Sequence, residues 1–66
     1  MTWNVLKIIK DNKVFLKAFE ERDDAIAHIE YLLNDYTNHG YNEEHGYWWG
    51  RNSSDPSENE KFITEI

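Results

Sequence analysis

No cysteine occurs among the 66 residues, so neither a disulfide nor a thiolate-bound zinc can staple the fold. A chain this short buries only about 60% of the surface its unfolded form exposes. Its core must therefore rely on tight packing or on a second copy of itself. Cations are scarce too: seven Lys and Arg stand against thirteen Asp and Glu, a formal charge of −6. That balance disfavours nucleic acid, whose phosphates call for clustered Lys and Arg, and it admits a basic protein partner. No apolar run approaches the roughly 20 residues that span a membrane. Met1-Thr2-Trp3-Asn4 lacks the basic region and apolar core of a signal peptide. The expectation is one cytoplasmic domain over residues 1–66 with no membrane partner. The three glycines, Gly40, Gly46 and Gly50, form no phosphate-cradling pattern. The one proline, Pro56, lies in the polar stretch Ser53–Asn59, which reads as a loop.

What the chain has in quantity is aromatic mass, concentrated in Tyr47-Trp48-Trp49-Gly50-Arg51. Neighbouring side chains of a strand point to opposite faces. Trp48 and Trp49 therefore cannot both enter one core, and whichever faces away must be covered by something else.

The remaining segments supply the frame. Trp3–Ile9 is rich in β-branched and aromatic residues and reads as a strand, with Trp3, Val5 and Ile9 on one face and Leu6 and Ile8 on the other. Asp11-Asn12-Lys13 suits a tight turn, and Val14–Phe19 reads as the return strand of a hairpin. Strict alternation puts Phe15 and Phe19 on the same face. The period then changes: Ala25, Ile26, Ile29, Leu32, Leu33 and Tyr36 form one helical stripe. Glu21, Asp23 and Asp24 sit where a helix dipole favours acids, and Glu21 or Asp23 lies near the cap. Gly40 suits a left-handed C′ position, with His39 in the last turn. This predicts a helix over Arg22–Asn38, then a polar loop Tyr41–Gly46 and strands at Tyr47–Asn52 and Lys61–Ile66. The fold class is α+β in the order β-β-α-β-β, a four-stranded, mainly antiparallel sheet with one helix packed on one face.

Residues that carry chemistry do not converge. His28 lies beside the helical stripe. His39 and His45 flank Glu43 and Glu44 at a spacing that matches no specific metal pattern. Asp23-Asp24 has a helix-start explanation, and no Gly-x-Ser-x-Gly elbow surrounds Ser53, Ser54 or Ser57. No catalytic residue, metal or cofactor is expected, and an enzyme is not the reading. Arg51 can stack on an aromatic ring or pair with a nearby acid, and aromatic-plus-Arg clusters suit interface hot spots.

One helix shelters two or three strands, yet both sheet faces carry apolar side chains. Such a patch marks an interaction site. The expectation is a homodimer through the helix-free face, with Tyr47, Trp49, Arg51 and Phe15 as the partner-binding residues. A one-residue register shift would exchange Trp49 for Trp48. The alternatives are an acidic adaptor or inhibitor meeting a basic protein through Glu43 and Glu44, and a nucleic-acid-binding accessory module using Lys7, Lys10, Lys13 and Lys17. Trp3-x-Val5, the Phe19 to Ala25-Ile26 junction, the amphipathic helix and the aromatic strand together resemble small uncharacterised bacterial β-β-α-β-β domain proteins. The resemblance implies that fold and no activity.

Overall fold

A computed structural model describes residues 1–66. Strands β1 (Trp3–Ile9) and β2 (Asn12–Phe19) are followed by helix α1 (Arg22–Leu33), then β3 (Asn38–Asn42), β4 (Tyr47–Arg51) and β5 (Glu60–Glu65). The five strands form one antiparallel sheet in the order β2-β1-β5-β4-β3. α1 therefore carries the chain from one edge strand to the other. Four strand spacings make about 19 Å, and twelve helical residues span about 18 Å, so a single short helix can cross one face. No helix is long and apolar enough to cross a membrane.

The α+β class and the single helix agree with the sequence, but the sheet has five strands rather than four. The extra strand is Asn38–Asn42, which the sequence divided between helix end and polar loop. Its composition, Asn-His-Gly-Tyr-Asn, has little strand propensity. The strand exists because β4 pairs with it and its tryptophans pack on it: Tyr41 lies 4.6 Å from Trp48 between ring centroids, and Trp49 lies on Gly40. Gly40 is thus an extended residue beneath an indole, not a left-handed helix cap. His39 belongs to the same strand rather than to a last helical turn.

The helix ends at Leu33, five residues earlier than its stripe suggested. Asn34, Asp35 and Tyr36 donate to Tyr31, Leu32 and Leu33 carbonyls, each three residues back. That tighter turn keeps Tyr36 on the apolar side, where its ring meets Phe62 edge-on at 6.1 Å. The apolar stripe thus runs on past the end of the helix. At the other end Glu21 is the cap residue, yet its side chain makes no capping bond.

The hairpin also differs in detail. Lys10 and Asp11, both at positive φ, make a two-residue turn in place of Asp11-Asn12-Lys13. Leu6 pairs with Phe15 and Val5 with Lys17, so Leu16 is an extra residue. This bulge resets the alternation. Phe19 packs toward the helix with Trp3, whereas Phe15 points to the other face, so the two are not on one side.

The core is Val5, Ala25, Ile29, Leu33, Trp48 and Phe62. Ala25, Ile29 and Leu33 follow an i, i+4, i+8 spacing, which stacks them on one helix face. Gly50 lets that face come close: a Cβ there would stand 2.7 Å from the Tyr36 ring and 3.1 Å from Leu33.

Candidate functional site

Antiparallel register fixes what the helix-free face presents. Phe15 pairs with Leu6, and Leu6 with Ile63. Trp48 pairs with Phe62, so the next step of the ladder sets Tyr47 across from Ile63. Tyr47, Ile63, Leu6 and Phe15 thus form a straight apolar row over β4, β5, β1 and β2. Trp49 and Ile8 stand one step to one side of this row, and Arg51 follows Trp49 on β4. The four residues expected at a partner surface all lie on this face, while Trp48 is the tryptophan that enters the core.

Three parts of the face, Trp49, Tyr47 and Leu6, carry their own cover. The Arg51 guanidinium carbon sits 4.9 Å from the Trp49 ring centroid, and Lys61 Nζ sits 4.9 Å from that of Tyr47. Lys13 Nζ meets Glu65 Oε2 at 3.0 Å. Lys13 and Glu65 stand diagonally on either side of Leu6 in the ladder, so the pair arches over it. This explains why Leu6 is only 8% exposed on a face with no helix. Phe15 remains 58% exposed. The covers are light: exposed ion pairs and cation–π contacts contribute about 1 kcal/mol or less each.

Arg51 is held in place by two hydrogen bonds. Its Nε donates to the Ser53 carbonyl at 3.0 Å and its Nη1 to Asn59 Oδ1 at 2.8 Å. Neither ion pair of the protein includes it, so of the two options open to Arg51 the ring stacking is realised, and contacts to the loop that follows β4 stand in place of an acid. That loop contains a single 3-10 turn, Pro56–Glu58, capped by Asp55, whose carboxylate accepts from Ser57 N at 3.0 Å. These bonds hold the Asp55 carboxyl below its usual range. The loop borders the face without covering Phe15. A groove of about 570 Å³ lies between Pro56–Asn59 on one side and Ile8, Lys10, Tyr47 and Lys61 on the other.

A second polar cluster lies on the helix side. Lys7 Nζ meets Glu60 Oε1 at 2.8 Å and lies over Phe62. Burial, and then the hydrogen bond to Glu60, push the Tyr36 hydroxyl up to about 12. Hydrogen bonds from Lys7 and Tyr36 hold the Glu60 carboxyl below its usual range. Tyr36 is thus kept protonated and Glu60 ionised. The arrangement holds a proton rather than passing it on, and it closes the core where the helix stops.

The histidines stay apart. His28 packs between Phe19 and Tyr31, His39 is in β3, and His45 stacks near Tyr47 in the β3–β4 turn with Glu43 and Glu44. Sequence reasoning left out Lys61, Glu65 and Gly40 as parts of the open face. Gly40 carried no strand signal. Lys61 and Glu65 alternate with Ile63 in the last strand, but their neighbours depend on a strand order that alternation does not contain. Comparison with known proteins returns no matching family model, no matching curated protein and no matching solved structure.

Proposed function

We propose that this protein works by protein–protein binding and that it homodimerises through the helix-free face of its sheet. The observation that carries the reading is the row Tyr47, Ile63, Leu6 and Phe15, with Trp49 and Arg51 beside it. It crosses four strands and meets no helix. Aromatic side chains and Arg are the residues that dominate interface energetics, and closed homodimers are the commonest assembly. Five strands at about 4.8 Å and six residues at about 3.4 Å give a face of roughly 490 Å² in projection. That lies at the small end of specific interfaces, so the dimer is a concentration-dependent one. The location that goes with this reading is the cytoplasm, a reducing compartment that a cysteine-free chain tolerates.

Light scattering across a concentration series tests it, on the wild type and on Trp49→Ala. The expected result is a wild type that approaches twice the monomer mass as concentration rises and a variant that stays at one. A wild type that remains monomeric at millimolar concentration removes the reading. Glu43 and Glu44 are exposed in the β3–β4 turn and support a second reading, an acidic adaptor or inhibitor that meets a basic protein partner. Such a complex would weaken steeply with salt, unlike one built on the apolar row.

A further inference from the structure

The open face is charged unevenly along its strands. Lys61 and Arg51 lie at the end where β5 begins and β4 finishes. Glu65 lies at the other end, beside the β3–β4 turn that carries Glu43 and Glu44. Between these ends runs the apolar row. On β5 the arrangement is symmetric, because Lys61 and Glu65 stand two residues to either side of Ile63.

We infer that the dimer is built about a two-fold axis lying along the Tyr47–Ile63–Leu6–Phe15 row, so that Lys61 of each copy pairs with Glu65 of the other. The inference rests on the dimer reading above and specifies its geometry. Two sheets can stack face to face only by a rotation about an axis in the plane between them. An axis along the strands would lay cations over cations and carboxylates over carboxylates. An axis across the strands reverses one copy end for end. It sets Ile63 on Ile63 and Leu6 on Leu6, and it brings Lys61 over Glu65 twice. Arg51 of each copy then lies toward the Glu43–Glu44 turn of the other.

The dimensions allow this. Lys61 and Glu65 are each displaced about 7 Å from the axis. Stacked sheets cross at about 30°, which shifts the facing positions by only about 4 Å, less than the length of the Lys61 side chain. Lys61 is exposed, and Glu65 is held by Lys13 through a pair whose side chains are 56% and 44% exposed. Exchanging that partner for Lys61 of a second copy costs little, and it draws the arch off Leu6 so that the apolar row can meet itself.

Charge exchange tests the geometry. Lys61→Glu alone places acid over acid at two points of the dimer, and Glu65→Lys alone places base over base. Each single variant is expected to raise the dimer dissociation constant about tenfold or more. The double variant Lys61→Glu/Glu65→Lys restores dimerisation. An equimolar mixture of the two singles, one of them labelled with 15N, forms heterodimers by native mass spectrometry, because every facing pair is again opposite in sign. The mixture also guards against variants that fail to fold, since an unfolded single cannot be rescued by its counterpart. A wild-type dimer that both singles leave intact overturns this geometry and spares the dimer reading. Two weakened singles that neither the double nor the mixture restores overturn it likewise. A monomeric wild type overturns both.

Discussion

Trp48 and Trp49 are adjacent, chemically identical and placed in opposite circumstances. Trp48 faces α1 and is 9% exposed, in contact with a core that includes Ile29, Leu33 and Phe62. Trp49 faces away from the helix and is sheltered by Gly40 below and the Arg51 guanidinium beside it. The first indole is covered by groups that cannot leave without unfolding. The second is covered by groups that can. Burial by a helix is nearly complete at Trp48, whereas cover by long charged side chains leaves Trp49 half-buried, and only the second leaves a surface that another protein can use.

Truncating both residues breaks the comparison most directly. Trp48→Ala empties the middle of the core and is expected to destabilise by about 3–5 kcal/mol. A 66-residue domain has roughly 3–10 kcal/mol in total, so a large part of this variant is unfolded in urea titrations that leave the wild type native. Trp49→Ala is expected to cost about 1 kcal/mol, the scale of an exposed cation–π contact and partial burial. A result in which Trp49→Ala is as damaging as Trp48→Ala would make the open face part of the core.

Gly50 and Gly40 repeat the contrast on a smaller scale. A Cβ at Gly50 meets the Tyr36 ring at 2.7 Å and Leu33 at 3.1 Å, both packed against the core at the end of α1. Overpacking of this kind costs about 1–3 kcal/mol, so Gly50→Ala should lower the melting temperature clearly. A Cβ at Gly40 meets only the indole of Trp49, at 2.9 Å. That indole can lift toward solvent, so Gly40→Ala should be the milder of the two by thermal melts. Equal losses would mean that Trp49 is as fixed as Tyr36.

How much of this contrast was legible in the sequence follows from which signals are local. The hairpin and the stripe Ala25, Ile29, Leu33 could be read because period and side-chain type are local properties. The assignment of Tyr47, Trp49 and Arg51 to one face followed from alternation alone. Asn38–Asn42 was not legible, since its strand character comes from β4 and not from its own residues. Alternation puts Phe15 and Phe19 on one side because a bulge at Leu16 has no composition signature here. The stripe predicts too long a helix because Tyr36 keeps its place in it through turns bonded three residues back. Lys13, Lys61 and Glu65 reach across strands, and strand order had to be known before they could be seen to cover the open face.

The Tyr36–Glu60–Lys7 cluster distinguishes the two faces by pH. Glu60 has a lowered carboxyl pKa, so its contribution to stability is present above the ordinary carboxylate range and is lost as pH falls through the folded value. Tyr36 is raised to about 12 from 10.0, so its contribution is complete below pH 10 and disappears between pH 10 and 12. The melting temperature of wild type should exceed that of Tyr36→Phe at neutral pH, and the gap should close across the alkaline window. A gap that stays constant from pH 8 to 12 would show that the hydroxyl does not act through its proton.

The smallest effect on folding is expected at Phe15, and it sharpens the comparison furthest. Phe15 is 58% exposed and lies on edge strand β2, at the end of the apolar row. Replacing it by Ser removes little buried area, and surface substitutions of this sort stay within about 0.5 kcal/mol. Serine also keeps the strand's backbone hydrogen bonds to β1. Melting curves of Phe15→Ser should therefore overlay those of wild type at concentrations where both are monomeric. At high concentration the curves should separate, because a dimer adds stability by mass action and the variant lacks the two rings that face each other at the β2 end of the row. A concentration-independent difference would assign Phe15 to the fold, and overlay at every concentration would remove it from the interface.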